Sequence, residues 1–127
     1  TNFEELGFVK NTMVKISKKK IIINKSILGP GISRNKGILK SNGKYIAFCD
    51  ADDVWHKNKL KFQIDCMKKN KIDFCHSSYN IIDFKNKKIG KFDIKQKVLH
   101  NDLLKSCNIG LSTVMISKKL INNKIKF

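Results

Sequence analysis

Arginine is almost missing from this chain: Arg34 is the single instance among 27 cationic side chains, and proline too occurs once, as Pro30. Acidic residues are scarce, at 10 of 127. The 4 cysteines, Cys49, Cys66, Cys75 and Cys107, form no C-x-x-C pair, which argues against a structural zinc site and predicts reduced thiols in the core. His56, His76 and His100 have no partner at helical spacing, and adjacent Cys75 and His76 would point to opposite faces of a strand, a poor chelate. No apolar run approaches the ~20 residues that cross a bilayer, and no leader with a basic and an apolar region is visible. These absences predict a soluble, intracellular chain.

What is present is lysine. The net charge of +17 raises nucleic acid or an acidic membrane surface as partners. The lysines, however, are spread along the chain together with asparagine and isoleucine and are not interleaved with aromatics, the pattern of solvated faces rather than of a polyanion site. A basic nucleic-acid-binding module is therefore a remote alternative, and no nucleic-acid partner is expected. A weak attraction to anionic lipid headgroups is the expected residue of that charge. The length suits one domain. Thr1 at the start and the apolar pattern running into Phe127 predict a segment of something longer.

Periodicity predicts strand and helix in alternation. FEELGFVKNTMVKISK, residues 3–18, has helical spacing, and IIIN, residues 21–24, reads as a buried strand. Gly29-Pro30-Gly31 predicts a break, followed by a helix capped by Ser33. YIAFCD, residues 45–50, is an apolar strand ending on an aspartate. HKNKLKFQIDCMKKN places Leu60, Ile64 and Met67 on one helical stripe. Residues 72–83 predict another strand, KNKKIGKFD a turn with a short strand, VLHNDLLKSC a short helix, and GLSTVMISK, residues 110–118, a last strand. Such alternation means α/β with a largely parallel sheet.

In open sheets of that kind ligands gather outside the carboxyl ends of strands, and there Asp50, Asp52 and Asp53 fall within four positions. Carboxylates this close repel one another unless a cation joins them, and an oxygen-only set suits Mg²⁺ or Mn²⁺. The competing reading is an Asx-turn and a cap for the following helix. Trp55 either stacks on a bound ligand or packs the strand-to-helix corner.

The run G-P-G-I-S-R-N-K-G-I, then N-G-K-Y-I-A-F-C-D-A-D-D-V-W, then Lys59-Leu60 with Gln63 after, closely resembles the family 2 glycosyltransferases. The resemblance covers residues 21–83, with weaker similarity to the last strand. It implies the GT-A fold, a three-layer α/β/α sandwich with a mostly parallel sheet, with residues 1–127 forming an incomplete domain. It implies a transferase moving a sugar from a nucleotide-diphosphate donor to a saccharide or lipid-linked acceptor, in polysaccharide, lipopolysaccharide or glycan synthesis, at the cytoplasmic face of a membrane. By the same resemblance Asp50 would hydrogen-bond the donor ribose. Asp52, with Asp50, would hold a divalent metal, Mn²⁺ or Mg²⁺, on the diphosphate. Asp53 would reach a metal-bound water or the donor sugar, or only fix the turn, and a ligand stacked on Trp55 would be a sugar. Arg34 would lie against the nucleotide base, a place for a planar group with several donors. Asn35 is expected to pin its loop to the sheet, and Ser77, Ser78 and Tyr79 fall where the family often meets acceptor. The family's first two strands and its acidic pair for the catalytic base have no match here, and Asp83, Asp93 and Asp102 match no motif. A truncated, inactive remnant of such an enzyme is the alternative.

Overall fold

The computed structural model describes residues 21–94, 98–105, 109–121 and 127. The helix expected over residues 3–18 lies outside them. In chain order the elements are α1 (Pro30–Lys40), β1 (Tyr45–Ala47), α2 (Lys59–Asn70), β2 (Phe74–Cys75), β3 (Tyr79–Ile82), β4 (Lys88–Phe92), α3 (His100–Lys105) and β5 (Met115–Ser117). Short 3-10 turns at Leu111–Thr113 and Lys118–Leu120 flank β5.

Three strands form one sheet in the order β1-β5-β2. Ile46 lies opposite Ile116 on one side of β5, and Phe74 opposite the same residue on the other; both pairings are antiparallel. The expected largely parallel sheet is therefore not what the described residues form. The unit β1-α2-β2 keeps the crossover logic of an α/β protein, with its two strands running the same way. It leaves a gap one strand wide, and β5 enters that gap from the opposite direction. β3 and β4 make a separate antiparallel hairpin, so the single strand expected over residues 72–83 is split between two sheets.

The core gathers where α2 lies on this sheet. Met67 and Met115 are fully buried, with Ile38, Ile46 and Val114 close behind. The stripe read from Leu60, Ile64 and Met67 does face inward, with Gln63 buried beside it. Three expectations fail. Ile21 and Ile23, meant for a buried strand, are 63% and 84% exposed; they have no strand partner among the described residues, and a strand needs one. Cys49 and Cys66 are exposed residues and Cys75 is half-buried, so they are not core residues; Cys107 lies outside the described residues. The Gly29-Pro30-Gly31 break is the start of α1 itself. Pro30 takes the first helical position, where its missing N–H costs nothing and its fixed φ suits the helix. Ser33, expected as the cap, lies within the first turn and accepts a hydrogen bond from Asn24 Nδ2 at 3.1 Å.

Candidate functional site

The strand leading to the acidic cluster is shorter than its apolar run suggests. β1 ends at Ala47, and Phe48–Asp50 leave the sheet before the chain turns. Asp53 N–H donates to Asp50 C=O at 3.1 Å, closing a β-turn with Ala51 and Asp52 at its corners. Asp52 and Asp53 are exposed. Their carboxylates take no hydrogen bond or ion pair from the described residues. The helix-cap alternative does not hold, because α2 begins at Lys59 with Asn58 at its cap and no capping side chain.

Asp50 differs from the other two. Its carboxylate is paired with Arg34 at 3.0 Å, the side chains of Arg34 and Asp50 being 32% and 41% exposed. Arg34 comes from α1, 16 residues earlier, so the only arginine and the first aspartate of the cluster meet at the end of β1. The guanidinium also lies 5.8 Å from the centre of the Phe127 ring. Asn35, the next residue, is expected to pin its loop to the sheet; instead it clasps the Phe127 backbone, accepting from its N–H at 3.0 Å and donating to its C=O at 3.2 Å.

Behind the turn stands a polar framework that periodicity does not announce. Buried Ser112 accepts the Asp50 N–H on Oγ at 2.9 Å, and its C=O accepts the Trp55 indole N–H at 2.9 Å. Trp55 therefore serves the corner between strand and helix, and one face of its ring carries the Lys59 ammonium at 4.4 Å. Lys59 donates to Gln63 Oε1 at 2.6 Å, and Gln63 Nε2 donates to Thr113 C=O at 2.8 Å. Lys59 and Gln63 stand four apart on α2, a spacing that could have suggested their contact. For Ser112, no local pattern in GLST signals a partner 62 residues away.

Burial holds the Lys59 ammonium below its ordinary range, the nearby thiols of Cys49 and Cys75 opposing. Partial desolvation likewise lifts the Cys49 thiol, on a residue that is otherwise exposed, and the Asp53 carboxylate adds to that lift, followed by those of Asp50 and Asp52, while Lys59 opposes. A cation that joined the carboxylates would relieve this repulsion. Among the described residues no group of three or more potential ligands converges on one point. The turn thus offers oxygen donors, with Asp52 unengaged and Asp50 shared with Arg34. Such a set suits a hard divalent ion whose remaining positions are filled by ligand oxygens and water.

The aspartates that match no motif each have structural work. Asp83 Oδ1 accepts N–H bonds from Lys85 and Lys87 in the β3-β4 turn. Asp93 pairs with Lys91 at 2.7 Å, and Asp102 Oδ2 accepts the Leu99 N–H at the start of α3. Ser78 Oγ accepts the Ile94 N–H, and Tyr79 stacks on Phe92 with ring centres 5.3 Å apart. A shallow cavity of about 280 Å³ opens at the other end of the sheet, lined by Lys44, Met67, Lys71 and Lys119 among others. None of the expected site residues borders it.

Residues 8–125 match the family model described as glycosyl transferase family 2. Over 117 residues, covering 88% of this chain and 46% of the relative, the chain is 40% identical to the UDP-Glc:alpha-D-GlcNAc-diphosphoundecaprenol beta-1,3-glucosyltransferase WfgD of Escherichia coli. It is 34% identical over 111 residues to WfaP of the same organism, which carries the same activity in its name, covering 87% of this chain and 43% of the relative. With the putative teichuronic acid biosynthesis glycosyltransferase TuaG of Bacillus subtilis it shares 33% identity over 92 residues, 72% of this chain and 36% of the relative. The chain thus spans less than half the length of these curated relatives. No solved structure matches it.

Proposed function

The chain belongs to glycosyl transferase family 2, and from that premise we propose that it forms the diphosphate-binding part of a GT-A enzyme, one partial domain over residues 1–127. The enzyme moves a sugar from a nucleoside-diphosphate sugar to a saccharide carried on a lipid diphosphate. The names of WfgD and WfaP support UDP-glucose as the donor to try first and a polyprenyl diphosphate-linked sugar as the acceptor. No helix among the described residues is long and apolar enough to cross a membrane. The protein meets such an acceptor at the cytoplasmic surface of the membrane, with lysines facing anionic headgroups.

One observation carries this reading: the turn at Asp50–Asp53 presents Asp52 without a partner among the described residues, just beyond the end of β1. Family 2 enzymes generally use a divalent cation, and the oxygen donors here suit Mn²⁺ or Mg²⁺. Asp52 would hold it, with Asp50 as the second carboxylate. When bound, the ion supplies positive charge against the diphosphate leaving group. The protein's own residues do the rest. Arg34 holds Asp50 in place and offers its remaining donors and planar face to the nucleotide, and Asp53 fixes the turn through its backbone while its carboxylate faces outward.

Calorimetric titration of the protein with UDP-glucose, with and without Mn²⁺, tests the proposal. Binding is expected only with the metal, and Asp52→Asn is expected to weaken it at least tenfold while the melting temperature stays put. Metal-independent binding, or Asp52→Asn binding as tightly as the parent, would overturn it.

A further inference from the structure

The acidic turn is too short to hold its own shape. Its single internal backbone bond, Asp53 N–H to Asp50 C=O, does not fix the chain on either side, and the carboxylates of Asp52 and Asp53, unpaired among the described residues, push apart. Arg34 pairs with the Asp50 carboxylate and the Cys49 thiol reaches the Asp50 and Asp53 carbonyls, but the residue that bonds both flanks of the turn comes from a distant segment. Ser112 takes the Asp50 N–H on its hydroxyl and the Trp55 indole N–H on its carbonyl, so a single buried serine grips both flanks of Asp52 and Asp53. A circuit of contacts then closes around it: from Ser112 to Thr113, whose C=O accepts from Gln63, from Gln63 to Lys59, and from Lys59 over the ring of Trp55.

We propose that Ser112 is a positioning residue for diphosphate and metal binding: a two-sided clamp that sets where the Asp50–Asp53 turn presents its carboxylates. The role rests on the donor site proposed above. Ser112 has no contact with the reacting atoms and acts through Asp50 and Trp55. The hydroxyl is the replaceable half of the clamp, since the carbonyl survives any substitution. Ser112→Ala leaves the half-buried Asp50 N–H without its acceptor, and the turn gains freedom that binding must then remove. Ser112→Thr keeps the oxygen.

Two measurements on the intact protein test this. The first needs no ligand: hydrogen exchange at the Asp50 amide, followed by NMR, is expected to accelerate at least tenfold in Ser112→Ala and to return toward the parent rate in Ser112→Thr. The second is the titration with UDP and Mn²⁺, in which Ser112→Ala is expected to bind about tenfold more weakly, equivalent to ~1.4 kcal/mol, and Ser112→Thr to recover. Unchanged Asp50 exchange in Ser112→Ala overturns the clamp. Faster exchange with unchanged affinity overturns its role in binding. Failure of the parent protein itself to bind UDP with Mn²⁺ overturns the donor site, and the positioning role with it, while the exchange result still decides the clamp. Where Ser112→Ala loses its cooperative melt, Trp55→Phe releases the other flank with the Asp50 bond intact; weaker binding of UDP with Mn²⁺ is then expected, and unchanged affinity overturns the role in binding.

Discussion

At the scale of single residues, the site separates charge that stabilises from charge that is held ready. The Arg34–Asp50 pair is partly exposed, and such pairs contribute ~0–1 kcal/mol. Arg34→Ala is therefore expected to shift chemical denaturation by no more than about 1 kcal/mol, while weakening UDP-glucose binding well beyond that; a large stability loss with unchanged binding would make Arg34 structural. Asp53 has a second readout in Cys49, whose thiol lies above its ordinary value of 9.0 through burial first and the Asp53 carboxylate next. Removing that negative charge lowers the pKa and raises the thiolate fraction at pH 7. Asp53→Asn is thus expected to speed iodoacetamide labelling of Cys49, tracked by mass spectrometry of its peptide, and an unchanged rate would contradict the coupling. His76 gives the pH dependence. Its Nδ1 is buried without a partner among the described residues, and burial lowers its pKa below 6.5. The unfolded chain binds that proton more readily, so stability is expected to fall as pH drops from 6.5 through the folded value. His76→Phe should flatten that slope in thermal melts; an equally steep slope would place its origin elsewhere.

At the scale of elements, the helix stripes were legible because their information is local. Leu60, Ile64 and Met67 repeat at helical spacing, and α2 follows them. Sheet order was not legible, because β5 pairs with β1 at a separation of some 70 residues and nothing in MIS states which gap it fills. The proline break misled for a clear reason: the same residue that ends a helix also begins one, and only the following residues decide. The candidate site was readable where it is one contiguous run, Asp50–Asp53, and unreadable where it depends on Ser112 arriving from elsewhere. The end of α2 offers a test of backbone cost. Lys71 caps the helix in the left-handed region at φ 52°, where a side chain is strained and glycine is not. Lys71→Gly is expected to stabilise by up to about 1 kcal/mol in denaturant unfolding, the relief of left-handed strain less the entropic cost of glycine, and destabilisation would show that the lysine side chain compensates for the strain.

At the scale of the whole molecule, the five buried apolar side chains among the described residues contrast with a long series of exposed ones, among them Ile27, Leu39, Phe62, Phe84 and Leu104. Exposed apolar surface on this scale favours association, offset by the repulsion that a net +17 imposes at low salt. Light scattering is accordingly expected to rise with salt as the repulsion is screened, and a scattering signal independent of salt would remove charge as the solubilising factor. The same census contains an economy of another kind. Trp55 is the only tryptophan in the chain, with its indole N–H tied to the Ser112 carbonyl and a cation over its ring. Excited at wavelengths that tyrosine does not absorb, this chain's emission therefore originates at one address, beside the acidic turn, so its intensity and colour amount to an unlabelled optical gauge of that turn.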